Sequence, residues 1–162
     1  MKGLIIKNTG NDYVIRTHDG KNRTCRLKGS FRIKGIKSTS PVTVGDYVEF
    51  DDAGYITELY ERKNYIVRRP TNLSKQLHII AANLDQAILV VTIKKPVTLT
   101  MFIDRFLATA EAYRVPTILV FNKIDLLNKA EKNHLNELIQ IYKNIGYQCL
   151  TISAAKGDGI DT

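Results

Sequence analysis

The sequence predicts a β + α/β chain: five short strands closing into a small barrel, then an open parallel sheet of three strands flanked by two helices. Three observations carry this expectation. Through residue 65, apolar side chains recur at every second position in short runs cut by Gly- and Asp-containing turns. From Asp85 onward, continuous apolar runs alternate with stretches of helical period. Arg68, Arg69 and Pro70 mark the change of style between them.

The strands of the first half read GLIIKNT, DYVIRTH, KNRTCRLKG after the Asp19-Gly20 turn, GDYVEFD, and GYITELYERK after the turn from Asp51 to Gly54. Tyr13, Ile15 and Thr17 alternate with Val14 and Arg16, the period of two that suits a strand with one face inward. Five such strands in a short length suit a closed barrel better than a sandwich, and the oligonucleotide-binding barrel (OB-fold) is the economical choice. Tyr13 and Phe31 are open to two readings, as exposed rings on which bases stack or as core. The expected organisation is a barrel over residues 1–70, a connector over 71–84, and an α/β unit over 85–162.

That unit begins with DQAILVVTI, a continuous apolar run of strand length. In TLTMFIDRFLATAEAYR, Leu99, Phe102, Ile103, Phe106 and Ala110 share a helical face, with Thr98 or Thr100 as the N-terminal cap. TILVF follows, apolar on both faces. Then EKNHLNELIQIYKNIG carries Leu135, Leu138, Tyr142 and Ile145 as a stripe ended by Gly146, and QCLTIS closes the set. Strands apolar on both faces, alternating with helices, mean a parallel sheet. Right-handed crossovers then bring every strand's carboxyl end to one rim.

Composition narrows the function classes. The longest unbroken apolar run, Ala87 to Val91, is far below the ~18 residues of a membrane-spanning helix. The amino-terminal MKGLIIKNTGNDY turns polar too early for a secretory signal, so the expected location is the cytoplasm. Cys25 and Cys149 lie far apart with no second ligand at zinc spacing, and His18, His78 and His134 are scattered; neither set suggests a metal site. The net charge is +8, with 14 Lys/Arg against 8 Asp/Glu in residues 1–70 and 10 against 8 in the remainder. Arg16, Lys21, Arg23, Arg26, Lys28, Arg32, Lys34 and Lys37 face only Asp19 in their stretch, a pattern that attracts a phosphate backbone by counterion release. The alternative is a solvated hairpin with no partner.

Two loops leave the carboxyl rim of the expected sheet with polar signatures: Asn122, Lys123, Ile124 and Asp125 after TILVF, and Ser153, Ala154, Ala155 and Lys156 after QCLTI. The first spells N-K-x-D. Guanine presents two adjacent donors, the N1 hydrogen and the 2-amino group, which one carboxylate such as Asp125 can accept side by side; adenine does not. The stem of Lys123 can cover a base face while its charge stays in water. Asn122 can tie the loops together or reach the base edge, and a backbone N–H between Ser153 and Lys156 can serve guanine O6. The plainer alternative is a polar loop in which Asp125 caps the next helix.

The stretches VGDYVEF, ITELYERKNYIVRRP, AANLDQAILVVT, FIDRFLATAE, FNKIDLL and TISAAKGDGI resemble the circularly permuted GTPases that act in maturation of the small ribosomal subunit, the RsgA type. The resemblance runs almost from end to end. It implies an OB-fold domain gripping rRNA and a P-loop GTPase-like sheet whose base-reading motifs precede its phosphate loop. It further implies GTP or GDP with Mg²⁺, and a C-terminal zinc-binding domain. No G-x-x-x-x-G-K-[S/T] occurs in the 162 residues, and D-x-x-G at Asp51 to Gly54 falls between barrel strands, in the wrong domain for a switch. The chain therefore reads as an N-terminal portion: guanine selection without catalytic residues, inactive by itself, and with a bare sheet edge through which copies can meet. Two rivals stay open: a non-enzymatic RNA-binding OB protein with a scaffold α/β module, and a translation-type GTPase fragment.

Overall fold

The computed structural model describes residues 1–28, 41–68 and 78–160. Arg32, Lys34, Lys37 and Phe31 lie outside the described residues. The chain divides into two compact units, Met1–Leu84 and Asp85–Thr162.

In the first unit, β1 (Lys2–Thr9), β2 (Asp12–Thr17), β3 (Asn22–Leu27), β4 (Tyr47–Phe50) and β5 (Tyr55–Leu59) close a barrel in the order β1-β2-β3-β5-β4. All neighbours are antiparallel except β3 and β5, which pair in parallel at Arg26↔Tyr55 and Leu27↔Ile56. Alternation sends Ile5, Tyr13, Ile15, Cys25, Val48, Phe50 and Ile56 inward, where Val42 completes the core. Tyr13 is therefore packing rather than a stacking surface: only 3% of it is exposed. The Asp51 to Gly54 segment is the β4–β5 turn, with Gly54 N–H donating to Asp51 O and Tyr55 N–H to the Asp51 side chain.

A second antiparallel pair, β6 (Tyr65–Arg68) with β7 (His78–Ala82), belongs to the same unit. Strand β7 occupies part of the stretch read from sequence as connector. A polar network fastens this pair to the loop before β4. Ala82 N–H donates to Val44 O, Asn83 Nδ2 to Gly45 O, and Asn64 exchanges two bonds with Leu84. A Cβ on Gly45 would sit 2.0 Å from Ala82 O, so only glycine permits this approach. At the centre, buried Arg62 grips buried Asp46 through Nε–Oδ1 at 2.7 Å and Nη2–Oδ2 at 2.6 Å.

The second unit holds β8 (Ala87–Thr92), α1 (Thr100–Ala112), β9 (Thr117–Asn122), α2 (Lys129–Asn144) and β10 (Gln148–Thr151). The sheet is parallel with order β10-β9-β8. Leu89, Val91, Leu119, Phe121 and Cys149 pack with Ile103, Leu107, Leu135, Leu138, Ile139 and Tyr142 from the helices. Ile88 and Val90, on the other face of β8, are 62% and 54% exposed.

The helices correct two details. Helix α1 buries Ile103, Leu107 and Ala110, whereas Leu99 and Phe102 are exposed and Phe106 is half-buried; its packed arc is rotated from the expected one. Leu99 occupies the N-cap position with no side-chain cap, because Thr98 Oγ1 instead accepts from Thr92 N–H at 3.1 Å. Helix α2 is capped by Asn128 in a reciprocal box with Glu131, and Ile145 of the expected stripe is exposed. At its far end Gly146 has φ +99, with Gly146 N–H donating to Lys143 O and Tyr147 N–H to Tyr142 O, the two bonds of a Schellman ending.

Candidate functional site

The carboxyl ends of β9 and β10 place the two polar loops side by side. Phe121 and Ile152 pair through Ile152 N–H to Phe121 O, and Ile124 N–H then crosses back to Ile152 O. Asn122 ends β9 and points its side-chain oxygen at two amides, Lys123 N–H at 2.6 Å and Ala154 N–H at 3.1 Å. Of the roles open to Asn122, the tie between loops is thus the one it performs here. Lys123 takes a left-handed backbone, φ 64, which reverses the chain into a single 3-10 turn, Ile124–Leu126.

Asp125 sits in that turn, three residues short of the cap of α2; the capping alternative is excluded because Asn128 does that work. Ser153, fully buried, donates its hydroxyl to Asp125 Oδ1 at 2.6 Å. That bond is the largest cause holding the Asp125 carboxyl below the usual carboxylate range, with Lys156 and Lys123 adding smaller electrostatic support. Its own backbone amide adds a further bond, so the carboxylate is ionised at neutral pH and held in orientation, with acceptor capacity beyond these two bonds left for a ligand.

The Ser153 loop is equally determined. Ser153 N–H donates to Asp158 O, Ala154 N–H to Asn122, and Lys156 N–H to Ser153. Among the amides of Ser153 to Lys156, only that of Ala155 lacks a hydrogen-bond partner among the described residues. A Cβ on Gly159 would meet Thr151 O at 2.5 Å, so glycine is what lets the loop fold back onto β10.

One contact was not legible beforehand. The Lys123 ammonium donates to Lys95 O in an exposed bond, so this side chain is tethered across the loop after β8. Lys94 pairs with Glu131 at 2.7 Å, joining the same loop to the cap of α2. All eight residues expected at this rim, Asn122 to Asp125 and Ser153 to Lys156, fall in the two adjoining loops.

The basic residues are less unified. Arg16 and Arg26 project from the outward face of β2 and β3, and Arg26 Nε meets Asp12 at 2.6 Å. Lys21 pairs with Asp19 at 3.2 Å and Lys28 with Asp51 at 3.7 Å. Arg23 stands opposite core residue Ile15, hence on the other strand face, yet is exposed at the barrel end. Arg16 and Arg26 thus lie on one strand face and Arg23 on the other.

A family model described as RsgA GTPase matches residues 59–162, and one described as the RsgA N-terminal domain matches residues 2–56. The chain belongs to the RsgA GTPase family. Curated relatives include Small ribosomal subunit biogenesis GTPase RsgA 2 of Bacteroides thetaiotaomicron, 56% identical over 99% of this chain and 53% of its own length. The RsgA of Phocaeicola vulgatus is 54% identical over the same shares. This RsgA-family chain thus spans about half the length of the curated relatives it matches. Among solved structures, YjeQ from Thermotoga maritima aligns with TM-score 0.75 at 34% identity, covering 99% of this chain and 54% of that one. YloQ, described as a circularly permuted GTPase, aligns with TM-score 0.64 at 30% identity over 95% and 52%.

Among the described residues no group of three or more His, Cys, Asp or Glu side chains is placed to hold a metal ion. No described helix is long and apolar enough to cross a membrane.

Proposed function

We propose that this chain carries the guanine-selecting part and the RNA-binding barrel of a GTP-hydrolysing factor for small-ribosomal-subunit assembly in the cytoplasm. The observation that carries the reading is the Ser153–Asp125 bond. It orients an ionised carboxylate whose remaining acceptors match the adjacent N1 hydrogen and 2-amino group of guanine. The unpartnered Ala155 N–H answers guanine O6, and the tethered stem of Lys123 forms a wall for one face of the base. The names of the relatives, each a small ribosomal subunit biogenesis GTPase, favour this substrate and setting.

Residues 122–125 and 153–156 select a base and do no more. They offer one carboxylate, already engaged by Ser153, so they do not make a magnesium site, and no zinc ligand set is present among the described residues. In nucleotide sites of this kind the phosphates supply much of the binding energy through helix N-termini and backbone nests, and no phosphate-loop motif occurs in the sequence. The chain alone is expected to bind guanosine weakly and to turn over no GTP. Titration with guanosine and adenosine, read by amide chemical shifts, tests this. Guanosine is expected to move Asn122–Asp125 and Ser153–Lys156 while adenosine leaves them; equal responses, or none, would refute the assignment.

The barrel contributes RNA affinity through Arg16, Lys21, Arg23, Arg26 and Lys28. Contacts between copies through the β8 edge, beside exposed Ile88 and Val90, belong to the same reading. Sedimentation at rising concentration is expected to show self-association that a Val90→Lys substitution abolishes; a monomer throughout would count against it.

A further inference from the structure

The outer wall of the barrel carries an aromatic pocket that the basic residues do not explain. Lys2, Gly3, Tyr47, Val48 and Tyr60 line a space of about 310 Å³. Pairing of Leu4 with Tyr47 and of Lys2 with Glu49 puts Tyr47, Lys2 and Glu49 on the strand face opposite the core residues Ile5 and Val48. Tyr47 is 53% exposed and contributes nothing to the barrel core. Tyr60 is fixed: its hydroxyl donates to Glu49 Oε1 at 2.5 Å, and Lys2 Nζ lies 4.7 Å from its ring centroid. A second pocket of about 370 Å³, lined by Met1, Lys2, Thr17, His18, Asp19, Lys21 and Arg23, adjoins the first through Lys2. The Arg23 guanidinium makes no ion pair or hydrogen bond among the described residues.

We propose that these two pockets form one subsite for a nucleotide of single-stranded RNA, the base against Tyr47 and Tyr60 and the adjoining phosphates at Lys2, Lys21 and Arg23. The proposal rests on the RNA reading of the barrel and deepens it, by adding an aromatic component outside the basic stretch. Three arguments favour this occupant. The first space is at the small end of ligand pockets, which begin near about 300 Å³, so it admits one flat ring system and not a folded segment. Rings exposed beside cations serve sequence-tolerant stacking of unpaired bases, whereas a duplex keeps its bases stacked on one another. The cations Lys2, Lys21 and Arg23 outnumber the carboxylates Asp19 and Glu49, and Arg23 has no counter-ion to surrender. Lys2 serves both pockets, over the ring and toward the backbone.

The test is fluorescence anisotropy of the chain with a labelled short oligouridylate, an abasic oligonucleotide of equal length, and an acidic aromatic peptide as competitor. Tyr47→Ala is expected to weaken oligouridylate binding about tenfold with the salt dependence unchanged, and Tyr47→Phe to retain it. Arg23→Ala is expected to reduce the salt slope by about one. The abasic strand is expected to bind wild type and Tyr47→Ala alike. Because Tyr47 lies outside the core, an unchanged melting temperature checks the fold. If Tyr47→Ala binds as wild type while Arg16→Ala/Arg26→Ala loses affinity, the subsite is wrong and the RNA reading stands. No binding by wild type at low salt would sink both, and displacement by the peptide in preference to RNA would reassign the pocket to a protein partner.

Discussion

Asp46→Ala is expected to destabilise the barrel unit by about 3–5 kcal/mol, the cost of leaving a buried ion without its partner. Side-chain exposure is 5% for Arg62 and zero for Asp46, so solvent cannot replace the lost charge. The substitution also removes the acceptor of Thr43 N–H, 2.7 Å from Asp46 Oδ2, and leaves Arg62, among the described residues, with only Pro41 O at 3.1 Å. Among the described residues Arg62 Nη1 has no partner, so the guanidinium is already incompletely satisfied before the substitution. Set against a typical total of about 5–15 kcal/mol, such a loss brings this unit close to unfolding at room temperature. Urea titration separates the outcome by region, because α1 and α2 both belong to the second unit and helical circular dichroism reports that unit. Five of the eight tyrosines, Tyr13, Tyr47, Tyr55, Tyr60 and Tyr65, lie in the first unit, so the larger part of the tyrosine signal is expected to change at lower urea while the helical signal and the remaining tyrosine amplitude hold. The double variant Asp46→Leu/Arg62→Met is expected to recover most of the loss, since an apolar pair of similar volume removes the stranded charge. A single variant within 1 kcal/mol of wild type would refute the buried-pair argument.

The same network shows where sequence reasoning stops. The barrel strands and the parallel sheet were legible because their signals are local: Tyr13, Ile15 and Thr17 alternate within one strand, and TILVF is apolar without a break. The β6–β7 pair was not, since Tyr65 and Ala82 meet across a stretch containing Pro70, and nothing in either segment names the other. Nothing in the sequence marks Arg62 or Asp46 for burial, since their pairing spans 16 positions and depends on the fold. In α1 the expected and observed faces differ in phase. Leu99, Phe102, Ile103, Phe106 and Leu107 form a broad apolar arc, and which part is covered depends on the strands beneath it. The cap differs for a related reason: the Thr98 hydroxyl that could serve the helix instead accepts from Thr92 N–H at the end of β8. The rim site was legible as two motifs in the right order on adjacent α/β units. Its internal wiring was not: the Ser153 hydroxyl on Asp125 and the Lys123 tether to Lys95 depend on a serine and a carbonyl separated from their partners by a whole helix or strand.

That wiring makes Asp125→Asn the most informative substitution at the rim, with an expected loss of guanosine affinity of about a hundredfold and a gain for xanthosine. The carboxylate accepts two donors from guanine, and charge-assisted bonds of this kind are worth about 1.5–3 kcal/mol each. Asparagine retains one acceptor and replaces the other with a donor. Ser153 decides which is which: its hydroxyl is a donor aimed at Oδ1, so the amide is expected to settle with its oxygen toward Ser153 and its NH₂ toward the base. That NH₂ opposes the 2-amino group of guanine, two donors face to face, while xanthine offers a carbonyl oxygen at the same place. Titration with the two nucleosides gives the ratio directly, and Ser153→Ala/Asp125→Asn provides the control. Without the hydroxyl the amide is free to turn over, so the preference for xanthosine is expected to shrink toward unity while Ser153→Ala alone keeps guanosine ahead. An Asp125→Asn chain that still favours guanosine would mean the carboxylate does not read the base edge, and the selection would have to reside in the backbone amides of the Ser153 loop.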